Sequence, residues 1–376
     1  MGFSIMIGLA GLSMGIYSIV RLSKDNNTQG TSSLGYRWYT AGTTVAGTGS
    51  STSPLSSRLY GPRKICFGAT SLLYIADVYD NRIQAWKVGD STGTTVTGGS
   101  NAVAGNTSTD LNNPFSVYVD SNNNTYVADT YNHRIQFWSS GALNGTTLIG
   151  TGVNGSALNQ LNYPRDLTYD SSSNILYISD TDNHRILSYT SGASNGIVVA
   201  GGNGPGTTYN QLFSPDGIYF DSSSNSLYIT NFGAHTIVRW IVGSSGWTLV
   251  AGSIGSAGST STLLNSPSDV LLDSNGNVYV ADTGNHRIQF FLSGQRNATT
   301  IAGVTGTVGN LYTLLNSPRS LDLDKQLNLY DEQEINRRKN EFFKRIRQLT
   351  NQGVTVDKAM YESLCVQIGL SPDDDT

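Results

Sequence analysis

A fixed period constrains this chain more than any other feature. One sentence recurs five times: LYIADVYDNRIQAW (73–86), TYVADTYNHRIQFW (125–138), LYISDTDNHRILSY (176–189), LYITNFGAHTIVRW (227–240) and VYVADTGNHRIQFF (278–291). The four histidines of the protein, His133, His184, His235 and His286, lie 51 residues apart. Abundance of glycine or serine cannot generate such spacing, so the period marks a structural unit. A chain of such units buries its core between neighbours rather than within each one.

Each unit reads as four short strands. A proline opens it, at Pro62, Pro114, Pro164, Pro215, Pro267 and Pro318, where the missing N–H costs nothing at a strand start. Strand one leads into a turn at Asp120, Asp170, Asp221 or Asp273, followed by Ser and Asn. Asp at such a position accepts hydrogen bonds from backbone N–H groups just downstream, which closes a hairpin. Strand two is the LYVAD type and strand three the HRIQFW type. Strand four is marked by TTVAG (43–47), TTLIG (146–150), IVVAG (197–201), TLVAG (248–252) and TTIAG (299–303). Apolar residues occupy both faces, as at Tyr279, Val280 and Ala281, as expected for a sheet covered on both sides. Four-stranded sheets in tandem are the blades of a β-propeller. Six prolines predict six blades, with TTVAG at 43–47 giving the last blade its outer strand.

The A-D-T-x-N-H-R-I-Q core, followed by V-A-G and the proline-led strand, resembles the NHL repeat family of β-propellers. The resemblance covers roughly 37–330. It implies a fold more than a function, since NHL-like propellers include extracellular interaction domains, bacterial sensor domains, RNA-binding modules and a peptide-amidating lyase. The expected fold is therefore all-β: a six-bladed NHL-type propeller with an N-terminal hydrophobic helix and a short helical C-terminal tail.

Both ends break the pattern. Residues 3–20 (FSIMIGLAGLSMGIYSIV) carry no charge and reach the lower limit for crossing a bilayer. Residues 1–24 are expected to be a signal or membrane anchor and 25–36 a linker, ahead of a propeller over 37–330. After Tyr330 the text turns to DEQEINRRKNEFFKRIRQL, and no glutamate precedes Glu332. Apolar Ile335, Phe342, Ile346 and Leu349 fit one helical face, so 331–376 is expected to be a charged helical tail that leaves the sixth blade without a normal third strand. Cys66 and Cys365 are expected to be free buried thiols.

The recurring chemical groups point to structure. Asp77, Asp129, Asp180 and Asp282 recur with Arg82, Arg134, Arg185 and Arg287. Each Asp is expected to brace a turn and each Arg to bond or pair between blades. In the fourth unit these positions are Asn231 and Thr236, so that blade should be softer. One histidine per blade cannot converge on a metal away from the axis, so no metal or other cofactor is expected. Trp86, Trp138, Tyr189, Trp240 and Phe291 are expected to fill the core between blades.

A net charge of −4 excludes binding driven by bulk positive charge, and no nucleic-acid partner is expected. Asn106, Asn123, Asn144, Asn154 and Asn297 sit in sequons and are candidate glycosylation sites. The leading function is a non-enzymatic scaffold for a protein, glycan or small ligand. Its surface would be the connections between strand four and the next proline, such as 151–163 and 253–266. The chain would be membrane-anchored through residues 3–20 or secreted, with the propeller on the extracellular side. The alternatives are a metal-dependent lyase or hydrolase with its site in the central channel, and an RNA-binding propeller.

Overall fold

The computed structural model describes residues 17–22, 24–25, 37–38, 43–47, 56–99, 102–308, 314–324 and 329–334. The protein is an all-β propeller. Five four-stranded sheets follow one another along the chain, each with its strands in sequence order. The first consists of Pro62–Phe67, Leu72–Asp77, Arg82–Lys87 and Thr94–Gly98. The others open with Pro114–Val119, Pro164–Asp170, Pro215–Asp221 and Asp269–Leu272. The strand-one hairpins close as their aspartates demand: Asp120 Oδ1 accepts from the backbone N of Asn122 and of Asn124, both at 2.9 Å.

A further four-stranded sheet joins the two ends of the chain. Its order is Leu321–Leu323, Leu329–Glu334, Tyr17–Leu22 and Thr43–Ala46. Tyr17 pairs antiparallel with Glu334 and Leu22 with Leu329. Strand one of each sheet touches strand one of the next, and Leu321–Leu323 touches both Asp269–Leu272 and Pro62–Phe67. The strand-one elements therefore form a closed circuit.

This sheet corrects the reading of both termini. Residues 17–20, placed in the hydrophobic helix 3–20, lie in a strand; one backbone cannot bond in a sheet and span a bilayer as a helix. Residues 1–16 lie outside the described residues. Among those described, no helix is long and apolar enough to cross a membrane, and the helices are single 3-10 turns. Residues 331–334, placed at the start of the helical tail, continue the strand from Leu329; the tail over 335–376 lies outside the described residues. The third strand withheld from the last sheet is Tyr17–Leu22. In the linker 25–36, Asp25 pairs with Arg37 beside a Lys24–Trp38 pair, and 26–36 lie outside the described residues.

The core lies between sheets. Trp138 packs with Tyr74, Ala76 and Val117, and Trp240 with Tyr177, Ile186 and Ile229, so these aromatics seal one sheet against its neighbour. At the seam between the first and the composite sheet, Trp86, Ile65 and Leu73 meet Val45, Ala46 and Tyr330.

Candidate functional site

The repeat motif builds a rigid clamp at the mouth end of each sheet. Between strands two and three the chain makes a 3-10 turn that ends on a left-handed residue: Asn81, His133, His184, His235 and His286 have φ between 50° and 59°. Each histidine is thereby aimed at the next unit. His133 Nδ1 accepts from the backbone N of Tyr163 at 3.2 Å, and His184, His235 and His286 do the same for Ser214, Ser266 and Ser317. These donors are the residues just before the strand-one prolines. Burial holds all four imidazoles below their usual pKa, which keeps the accepting nitrogen unprotonated.

The Asp–Arg pairs close within a sheet. Arg134 Nε donates to Asp129 Oδ2 at 2.7 Å, and Arg82–Asp77, Arg185–Asp180 and Arg287–Asp282 repeat the contact at 2.7–2.8 Å. The far side of the guanidinium grips the preceding connection: Arg134 donates to the carbonyls of Asn106, Thr107 and Asp110. The other carboxylate oxygen of Asp129 accepts from the backbone N of Asn112 at 2.7 Å. Burial pushes the carboxyls of Asp129, Asp180 and Asp282 up, while the amide and arginine donors pull them back. The pair is thus a loop clamp within one sheet rather than a bond between blades. At the substituted sheet, Asn231 Oδ1 still accepts from the backbone N of Phe213, but Asn231 Nδ2 and Thr236 Oγ1 are buried without partners.

With the connections clamped, the first residues of strand one converge on the axis. A register irregularity follows the proline in several sheets, for example between Pro62 and Ile65 and between Pro215 and Ile218. A bulge of this kind lets two consecutive side chains face the same way. Arg63, Lys64, Arg165, Asp166, Asp216 and Asp269 thereby line one shallow depression together with Phe115, Ser268 and Arg319.

Lys64 lies across the axis. Its Nζ is 2.9 Å from Asp166 Oδ2 and 3.0 Å from both oxygens of Asp269. Asp166 also accepts from Ser116 Oγ at 2.6 Å and the backbone N of Ile218 at 2.8 Å. Burial alone would lower the Lys64 pKa, but the two carboxylates raise it. Asp269, buried beside Asp166, is pushed up to about 6.

The same depression holds three guanidiniums and a third carboxylate, Asp216. Arg63 Nη2 is 3.1 Å from Asp216 Oδ2, and Arg165 Nη1 is 3.6 Å from the same oxygen. Burial, with Arg319 and Arg165 nearby, brings the Arg63 pKa down to about 10 against the pull of Asp216. The Arg63 guanidinium lies 4.1 Å over the Phe115 ring. Phe115 touches Tyr131, and Tyr131 touches Tyr163, with centroids 6.0 and 5.3 Å apart. An aromatic arc therefore leads outward from the cationic mouth.

None of the mouth residues was a sequence candidate. They stand one or two places after the prolines, where successive units differ, and basic residues there are far apart in the chain. Among the described residues no group of three or more His, Cys, Asp and Glu is placed to hold a metal. Cys66 is a free, half-buried thiol, pushed up to about 12 by burial with help from Asp322; Cys365 lies outside the described residues.

A ring of clamped, four-stranded repeats around a lined axis defines a repeat β-propeller. The comparisons narrow it further: several of its repeats are similar to the NHL repeat. A family model described as NHL repeat matches residues 111–137, 161–189 and 264–291. NHL repeat-containing protein 2 of Homo sapiens is 39% identical over 83 residues, which covers 20% of this chain and 11% of the human protein. Its Gallus gallus counterpart is 40% identical over 67 residues, 16% of this chain and 9% of that protein. The matched part thus spans about a tenth of these curated relatives. Among solved structures, a gluconolactonase from Xanthomonas campestris aligns over 75% of this chain and 88% of its own, at TM-score 0.52 and 13% identity. A chain of a nidogen/laminin complex aligns over 76% and 92%, at TM-score 0.52 and 15% identity. A protein of unknown function from Bacteroides thetaiotaomicron reaches TM-score 0.56 at 13% identity, over 84% and 76%. Likeness at this identity concerns the fold alone.

Proposed function

We propose that the chain is a binding propeller, with the composite sheet as its sixth blade, and that it holds its ligand at the mouth end of the ring. The observation that carries this reading is the Lys64 bridge. The ammonium stands between Asp166 and Asp269, so the carboxylates nearest the axis are occupied by a fixed internal cation. A site locked by ion pairs across the ring is a rigid floor under a recognition surface. Asp–Arg clamps hold the connections that expose Val153 and Ile254, and neighbouring connections expose Tyr209 and Val308.

The alternative is a hydrolase with a metal in the channel, suggested by the fold likeness to a gluconolactonase. It would need Asp166 and Asp269 as oxygen ligands, and Lys64 already takes those oxygens. Calcium titration followed by calorimetry separates the two readings. Tight stoichiometric uptake that Asp269→Asn abolishes favours the enzyme. No heat with calcium, together with ligand-dependent shifts of NMR signals from the mouth residues, favours the binding propeller.

The extracellular placement belongs to the same proposal. Its support is the sequons, of which Asn106, Asn144, Asn154 and Asn297 are exposed while Asn123 is half-buried. Because Tyr17–Leu22 is a strand, a cleaved signal must end before Tyr17. Glycosidase treatment of protein from a secretory host tests the placement, and an unshifted band counts against it.

A further inference from the structure

We propose that Arg165 and Arg319, backed by Arg63, form a carboxylate-recognition site, and that the ligand is a peptide segment presenting a C-terminal or side-chain carboxylate. The proposal rests on mouth binding as read above and names the chemistry of that site.

The charge balance at the mouth is unfinished. Four cations, Arg63, Lys64, Arg165 and Arg319, face three carboxylates, Asp166, Asp216 and Asp269, in a chain whose overall charge is −4. Asp216 is already held by Arg63 at 3.1 Å, and Arg165 reaches it only at 3.6 Å. The Nε of Arg165 is buried with no hydrogen-bond partner. Among the described residues, no side-chain hydrogen bond or ion pair engages the Arg319 guanidinium. A guanidinium offers a planar fork of donors matched to a carboxylate, and two forks with free donors at one mouth are a recognition device without its ligand.

Asp216 selects the anion. An oxyanion that reaches Arg165 also comes close to the Asp216 oxygen, so each extra negative charge on the ligand adds repulsion. A monoanionic carboxylate meets this better than a phosphate dianion. The shape selects the rest. The depression is shallow, with little enclosed space. A headgroup would therefore rest at its rim, with the remainder of the ligand outside. That remainder meets the arc of Phe115, Tyr131 and Tyr163, where Tyr131 is 44% exposed. Aromatic faces beside a charged anchor suit a peptide with an apolar neighbour to its carboxylate.

The test uses the full chain and NMR titration with small probes: N-acetylphenylalanine, its amide, and N-acetylglutamyl-phenylalaninamide, with inorganic phosphate as a fourth. Saturable binding of either carboxylate probe, at least tenfold tighter than the neutral amide, is expected. Whichever carboxylate probe is tighter identifies the terminal or the side-chain source. Arg319→Gln should weaken the carboxylate probe at least tenfold and leave the neutral amide unchanged. Since the Arg319 side chain bonds nothing among the described residues, the melting temperature of that variant should match the parent; Arg319→Lys, which keeps charge without the fork, should recover only part of the affinity. Equal binding of acid and amide at the mouth overturns the carboxylate assignment while mouth binding stands. Tighter binding of phosphate overturns it in the same way. Absence of shifts at the mouth with every probe overturns both.

Discussion

Lys64 places its ammonium 3.0 Å from both carboxylate oxygens of Asp269, a residue 205 positions away in the chain. With Asp166 completing the bridge, one side chain ties three of the sheets across the axis. Removing one partner of such a buried pair strands the other charges. Lys64→Met should therefore destabilise the protein by about 3–5 kcal/mol. Lys64→Met combined with Asp269→Asn should recover a substantial part of that loss, because fewer carboxylates remain unpaired. Equilibrium denaturation of the single and double variants checks both expectations, and equal stability of the two would show that charge stranding is not the cause.

The fourth full sheet offers a repair experiment. Asn231 stands where Asp282 stands one sheet later, and Thr236 where Arg287 stands, and both leave a buried polar atom unpartnered. Asn231→Asp alone buries an unpaired carboxylate, and Thr236→Arg alone buries an unpaired guanidinium, so each should lower the melting temperature. Together they recreate the pair seen at Asp282 and Arg287, 2.8 Å apart, and regain a grip on the 202–214 connection. A double-mutant cycle should give favourable coupling of about 2–3 kcal/mol. Strict additivity of the two losses would show that this sheet cannot accept the clamp.

The period made the fold legible, because five copies of one pattern leave few arrangements other than tandem sheets. The composite sheet was not legible. Its third strand, Tyr17–Leu22, shares nothing with the HRIQFW text of the other third strands, and its apolar lead-in reads as a helix for lipid. Its partner, Leu329–Glu334, is charged where strand two is normally apolar. Pairing between the ends of the chain leaves no local trace. The clamp residues were visible as repeats, although their bonds were assigned between blades and close within them. The mouth was hidden for the opposite reason. Arg63, Phe115, Arg165, Asp216, Ser268 and Arg319 occupy one register position, but Phe, Asp and Ser interrupt the three arginines, so a search for a residue recurring in every unit passes over them. A variable position at the start of the axial strand is itself a signal, since only there can one-per-blade side chains meet.

Tyr17–Leu22 lies between Leu329–Glu334 and Thr43–Ala46 in the sheet that joins the chain ends. Deleting residues 1–22 removes this strand and exposes two unpaired edges. Such edges pair with other chains. The truncated protein should unfold at lower denaturant and form oligomers in light scattering as concentration rises. A monomeric truncation of parental stability would mean that Tyr17–Leu22 does not hold the ring shut.

Asp331 sits opposite Leu321 at a register position filled elsewhere by apolar pairs, Val117 with Val127 and Val270 with Val280. It is fully buried, and neither carboxylate oxygen has a partner. Burial, with the Asp269 charge nearby, raises its pKa well above the ordinary value, and burial likewise brings Asp322 in the adjacent strand to about 6. The folded state therefore binds more protons than the unfolded chain between pH 4 and the raised folded values. Stability must then fall as pH rises through that window and level off once both groups are ionised. The protein should melt higher at pH 5 than at pH 8, the reverse of a protein stabilised by carboxylates in good ion pairs. Asp331→Val places an apolar side chain where its counterparts have one. It should stabilise the protein at pH 8 by about 1–3 kcal/mol, the cost of a buried unsatisfied polar group, and flatten the pH dependence down to the part owed to the other raised carboxyls, Asp322 and Asp269 among them. Thermal melts of parent and variant across pH 4–8 measure both quantities; a variant less stable than the parent at pH 8 would show that Asp331 has a partner in solution.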